Sequence, residues 1–161
     1  MADFSPESFD KELENLMQTI AESMPDILQT IALDAKQKIQ NRIQEKGLSS
    51  EEVSFPGYTD KYAKRREKKG RQTNFVDMTV TGGMFRRMQI IGAGQKGDEY
   101  VVTVGGADQD TQDKIDGNSF GNGKWTGRGD IMAVSKNEEE ELTENWDNEI
   151  QKIIDESGFG K

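Results

Sequence analysis

The amino-acid sequence predicts an α+β domain, a small, mostly antiparallel sheet packed by N-terminal helices and a long C-terminal helix. Three observations predict it. Apolar residues recur at helical spacing through the first 47 residues, short β-type runs fill the middle, and a second amphipathic stripe closes the chain. At 161 residues a single domain over 1–161 is expected, divided into four parts. These are a helical part (1–47), a basic polar segment (48–75), a sheet (76–134) with a flexible insertion at 105–130, and a C-terminal helix (135–157).

Ser5-Pro6-Glu7 reads as a helix start: a capping hydroxyl, proline at the first helical position, then an acid at the positive end of the helix dipole. Phe9, Leu13, Leu16, Met17 and Ile20 follow at helical spacing. Ser23 and Asp26 stand in capping-box positions around Pro25, and Ile27, Leu28, Ile31, Ala32, Ala35, Ile39 and Ile43 form one stripe ended by Gly47. The expectation is two helices, Pro6–Ser23 and Pro25–Lys46, or one helix kinked near Pro25. A short basic helix is expected to start at Thr59 and cover Asp60–Lys69, with Gly70 ending it.

Phe75–Val80 alternates, with Val76, Met78 and Val80 on one side and Phe75, Asp77 and Thr79 on the other, which predicts a half-buried strand. Thr81 is placed to cap a helical turn carrying Met84, Phe85 and Met88. Gln89–Ile91 and Tyr100–Val104 read as strands joined by the loop 92–98, too long for a two-residue hairpin turn. Residues 105–130 are rich in Gly, Asp and Asn and read as a loop, Ile131–Val134 as a short strand. Ser135 and Glu138 form a capping box for a helix over Lys136–Glu156, with Leu142, Trp146, Ile150, Ile153 and Ile154 on one face.

Composition narrows the function. Apolar residues make up 32% of the chain and charged residues another 32%. Typical soluble domains carry about 45–50% apolar residues with glycine included, so even with 17 glycines the core is thin and some polar segments are expected to order against partners. There is no cysteine and no histidine. Thiolate chemistry, disulfides, zinc–cysteine sites, the Ser-His-Asp triad and the commonest general base are therefore excluded, and the chain is not expected to be an enzyme or to hold a cofactor or metal. No window approaches the ~20 apolar residues of a membrane span, and Met1–Asp10 lacks the layout of a signal peptide. Assembly in a cytoplasm is expected.

Charge is unevenly distributed. Lys61, Lys64, Arg65, Arg66, Lys68, Lys69 and Arg71 surround one acid, Glu67, so this segment is +6 in a chain of net charge −9, which leaves −15 elsewhere. Such a strip can be a solvated helix paired with the protein's own carboxylates, a contact with an acidic patch on a neighbouring subunit, or a phosphate-binding surface. Asp108, Asp110, Asp113 and Asp116 resemble a calcium loop, but Gln112 stands at its fifth position and the required glycine is missing. Gly92, Gly94 and Gly97 lack the βαβ context of a dinucleotide site. Trp125, in a Gly-rich run, either docks on the sheet or anchors an interface.

Two segments together carry a family resemblance. Tyr58 to Arg71, with Tyr62-Ala63-Lys64 inside a basic helix, is followed by Val76 to Met88, with Thr81-Gly82-Gly83-Met84 at a turn. A strand ending Val104-Gly105 and a C-terminal amphipathic helix come next. This order resembles the phage virion-morphogenesis and tail-completion families over roughly residues 30–155. The chain departs from many relatives at Ala107–Asn118, where they carry an aromatic-histidine segment. The resemblance implies a structural virion protein of a tailed phage, a tail-completion, tail-terminator or head–tail neck component. It would assemble as a homo-oligomeric ring in the bacterial host cytoplasm and contact connector, portal-associated or tail-tube proteins, with DNA possible in the lumen. The alternative is a nucleic-acid-binding accessory protein acting through the basic strip. The strip and Trp125 are the expected interface residues, and Tyr58, Tyr62, Ala63, Thr81, Gly82 and Met84 the family-motif residues. The expected second patch is either the acidic 105–116 segment or the C-terminal helix. Replacing Lys64, Arg65 and Arg66 by Glu is expected to block assembly and leave the monomer folded.

Overall fold

The computed structural model describes residues 5–97, 99–121 and 127–159. It is an α+β fold in which long N- and C-terminal helices pack against a two-stranded antiparallel hairpin. The first helix, α1, runs unbroken over Pro6–Asn41. Ser5 and Ser8 form a reciprocal capping box at its start. Of the two readings, the single helix through Pro25 is the one found, and no second helix starts there. The Ser23 hydroxyl donates to the carbonyl of Thr19 one turn back rather than capping a new helix. Proline in a helix interior costs about 3 kcal/mol, and burial of Met24, Ile27 and Leu28 around it offsets that cost.

α1 ends in a π-helical turn, Arg42–Lys46, closed by Gly47 at φ +66°. Glycine is needed at position 47 for two reasons. The left-handed conformation disfavours a side chain, and an added Cβ would lie 2.7 Å from the Phe75 ring. Helix α2 covers Asp60–Glu67, and Gly70 follows at φ +65°. A short turn α3, Gly83–Arg86, begins after Gly82 at φ +72°, and the Thr81 hydroxyl accepts from the Gly83 N–H.

The hairpin is longer than the sequence suggests. Strand β1 is Met88–Lys96 and β2 is Glu99–Gly106, with Lys96 opposite Glu99, so positions 97–98 alone connect them. The glycines of 92–97 sit in the ladder and at its tip rather than in a long loop, and Ile91 forms a bulge between Ile90 and Gly92. Much of the segment read as a flexible insertion is helix α4, Gln109–Phe120. Asp108 caps it, accepting from the Thr111 N–H at 2.8 Å. The end of β2 lies so close to α4 that a Cβ at Gly106 would come within 2.4 Å of the Gln112 nitrogen. Ile131–Val134 is a turn, not a strand, with Ile131 fully buried.

The last helix, α5, spans Lys136–Ser157 behind the expected Ser135/Glu138 capping box. It runs antiparallel to α1: Lys38 meets Glu141, Asp34 accepts from Asn145 at 2.7 Å, and Phe9 lies 5.7 Å from Phe159. The Lys38 ammonium holds the Glu141 carboxyl below its ordinary range, and its own pKa is raised by the same bond.

The core joins the C-terminal end of α1 (Ile39, Ile43) to Phe55, Val76, Met84, Phe85, Met88, Ile115 and Ile131. Beside it Arg42 is buried, donating from Nε to Glu138 at 2.9 Å and from Nη2 to the Ala133 carbonyl at 2.7 Å. This pair pins the start of α5 to the end of α1. Removing one member of a buried pair leaves the other uncompensated, so Arg42→Ala is expected to lower stability by about 3–5 kcal/mol, read as a shift of the urea midpoint.

Candidate functional site

Of the seven basic residues in the strip, one faces inward. The Arg66 side chain is 3% exposed and grips the segment that follows α2. Its Nη2 donates to Asp77 Oδ2 at 2.7 Å, Nη1 to the Thr79 carbonyl at 2.6 Å and Nε to the Gln72 carbonyl at 3.0 Å. The guanidinium also lies 4.6 Å over the Tyr58 ring, within cation–π range. Asp77 is equally well satisfied. Oδ2 also accepts from Gln72 Nε2 at 2.7 Å, while Oδ1 accepts from the Tyr58 hydroxyl at 2.9 Å and the Thr79 N–H at 2.8 Å.

This cluster explains why Phe75–Val80 is not a strand. The Asp77 carboxylate binds its own backbone two residues on, and the Thr79 hydroxyl returns a bond to the Asp77 carbonyl. Such local side-chain bonds compete with a sheet ladder. Met78 adopts φ +51°, which breaks the extended run. Val76 is buried but Val80 is 53% exposed, so the expected common face does not exist. Asp77, on the side opposite Val76 in the alternation, is buried as Val76 is.

The remaining cations lie on the other side of α2. Lys61, Lys64, Arg65, Lys68 and Lys69 are exposed and Arg71 is half-buried. Among the described residues none of these six has an ion-pair partner within 4.0 Å. Within the described residues the strip is therefore not paired, apart from Arg66. Lys61, Lys64, Arg65 and Lys68 stand at i, i+3, i+4 and i+7, one face of a helix. Arg66 leaves the list of interface residues, and its replacement by Glu would put a second carboxylate against Asp77 and break the fold rather than the assembly.

The residues that carry the resemblance have structural places. Tyr58 and Tyr62 pack at 5.2 Å, Ala63 is half-buried, Thr81 and Gly82 shape the turn before α3, and Met84 is in the core. Trp125 lies outside the described residues. The acidic residues of 108–116 are partly neutralised at home: Asp108 pairs with Arg87 at 2.6 Å and Asp110 with Lys114. The Asp108 carboxyl is held below its ordinary range, chiefly by its capping bonds to Thr111. Among the described residues no group of three or more carboxylates is placed to hold a metal ion, and no helix is long and apolar enough to cross a membrane. No family model, curated protein or solved structure matches the chain.

Burial pushes the Tyr58 hydroxyl up to about 12 from 10.0. A folded pKa above the unfolded one means the contribution is complete below pH 10.0 and is lost as pH rises through about 12. Absorbance titration of the folded chain is expected to show a tyrosine step near pH 12 that Tyr58→Phe removes. In denaturant melts, Asp77→Ala is expected to cost about 3–5 kcal/mol, by stranding Arg66. Lys64→Glu with Arg65→Glu is expected to stay within about 0.5 kcal/mol of wild type for each change.

Proposed function

We propose that the chain is a structural virion protein of a tailed phage, a tail-completion or neck component that works as a ring subunit at the head–tail junction. The observation that carries this reading is the outward face of α2: a row of cations held on a buried anchor, with no ion-pair partner among the described residues. Exposed charges left unpaired in a regular row are suited to steering and registering a partner. The resemblance of Tyr58–Arg71 and Val76–Met88 to tail-completion proteins supplies the virion context.

Other features support the reading. Phe120, Met17, Leu33, Ile91, Tyr100 and Val101 remain exposed and are suited to burial against neighbours. Among the described residues no third strand joins the hairpin, and a lone two-stranded hairpin is of marginal stability on its own. The absence of histidine and cysteine removes the usual catalytic groups.

In the phage that encodes it, deleting this chain is expected to yield filled heads and unjoined tails by electron microscopy, with joining restored by the purified protein. Normal infectious particles without the chain would sink the proposal. The rival nucleic-acid reading predicts a salt-dependent gel shift at low ionic strength that is lost on neutralising Lys61, Lys64 and Arg65.

A further inference from the structure

We infer that the cation face of α2 docks on the exposed acidic face of α5 in a second copy of the chain. This rests on the ring-subunit reading and specifies its contact. The charge distribution selects α5. A ring needs two different, complementary patches on each subunit, and the acids of α4 are engaged locally: Asp110 with Lys114, Asp108 with Arg87, Asp113 with Gln109 and Asp116 with Gln112. On α5, Glu138 is committed to Arg42 and Glu141 to Lys38. Glu140, Glu144 and Asp147 remain exposed along one side, and their only ion pair among the described residues is a 3.8 Å contact of Glu140 with its exposed neighbour Lys136.

The spacing matches. Glu140, Glu144 and Asp147 stand at i, i+4 and i+7, as do Lys61, Arg65 and Lys68. At about 1.5 Å per residue each row has steps of about 6 Å and about 4.5 Å along its helix. Laid side by side in the same direction, Lys61 meets Glu140, Arg65 meets Glu144 and Lys68 meets Asp147 in register. Each exposed pair contributes little alone. Three in register, screened by salt, give specificity and orientation. Among the described residues the only ion pair that either row makes is the weak one between Glu140 and Lys136, so docking gives up little within the subunit.

The test is the mass of the purified full chain by light scattering at low and high salt, for wild type and three variants. One carries Lys61→Glu, Arg65→Glu and Lys68→Glu; the second carries Glu140→Lys, Glu144→Lys and Asp147→Lys; the third carries all six. Circular dichroism checks that each is folded. Wild type is expected to associate at low salt and dissociate as salt rises. Each triple variant is expected to associate on the order of tenfold or more weakly, and the sixfold variant to recover. Association that survives both triple reversals overturns the inference and leaves the ring reading standing on another contact. Recovery in the form of closed dimers upholds the α2–α5 contact and counts against the ring. A wild-type chain that stays monomeric at low salt overturns the inference outright, while the phage deletion result stands or falls separately.

Discussion

The buried contact between Arg66 and Asp77 is the constraint on which the middle of the molecule depends. Taking two charges out of water costs several kcal/mol per ion unless the remaining hydrogen-bonding capacity is met. Here it is met: the guanidinium reaches two carbonyls as well as the carboxylate, and the carboxylate receives four donors. The consequences extend outward. Residues 72–79 must wrap around the guanidinium, which prevents a strand and holds Met78 at positive φ. Tyr58 must sit against it, which fixes the approach to α2. With Arg66 turned inward, helical geometry sends Lys61, Lys64, Arg65 and Lys68 to the opposite side. One inward arginine thus sets the direction of the whole cation face.

A second buried pair, Arg42 with Glu138, does similar work at the other end of the fold, tying α5 to the last turn of α1. Between the two pairs lies the core, built from Ile39, Ile43, Phe85, Met88, Ile131 and their neighbours. The distribution is uneven. The first half of α1 and the hairpin carry exposed apolar side chains, including Met17 and Ile91. A fold that concentrates its apolar contacts at one end, and orients its charges by buried ion pairs, keeps a defined shape while leaving surface for neighbours.

The sequence made the helices legible where local chemistry and periodicity agree. Ser135 and Glu138 mark the start of α5, Gly47 the end of the first helical stretch, and Asp60–Lys69 the basic helix, because caps and stripes are local properties. The errors came from interactions between distant or competing groups. Pro25 left a break and a single kinked helix both open, and burial of Met24 and Leu28 goes with the single helix. Asp108 and its neighbours read as loop because of their polarity, yet Asp108 is a cap and Ile115 a core residue of α4. Alternation over Phe75–Val80 suggested a strand, since nothing local reveals that Arg66, eleven residues earlier, will claim Asp77. One clue was available: a lone carboxylate between apolar residues, just downstream of a dense basic run, is a candidate for an internal pair. Of the basic strip, position and charge were readable; which member is structural was not.

Native-state hydrogen exchange of the α2 amides, compared between wild type and Asp77→Asn, tests the role of the anchor most directly. If the Arg66–Asp77 pair holds α2 in place, protection over residues 62–67 falls selectively in the variant while the amides of α1 and α5 keep theirs. Unchanged protection in α2 would contradict the account, because the orientation of the cation face would then rest on something other than the buried arginine.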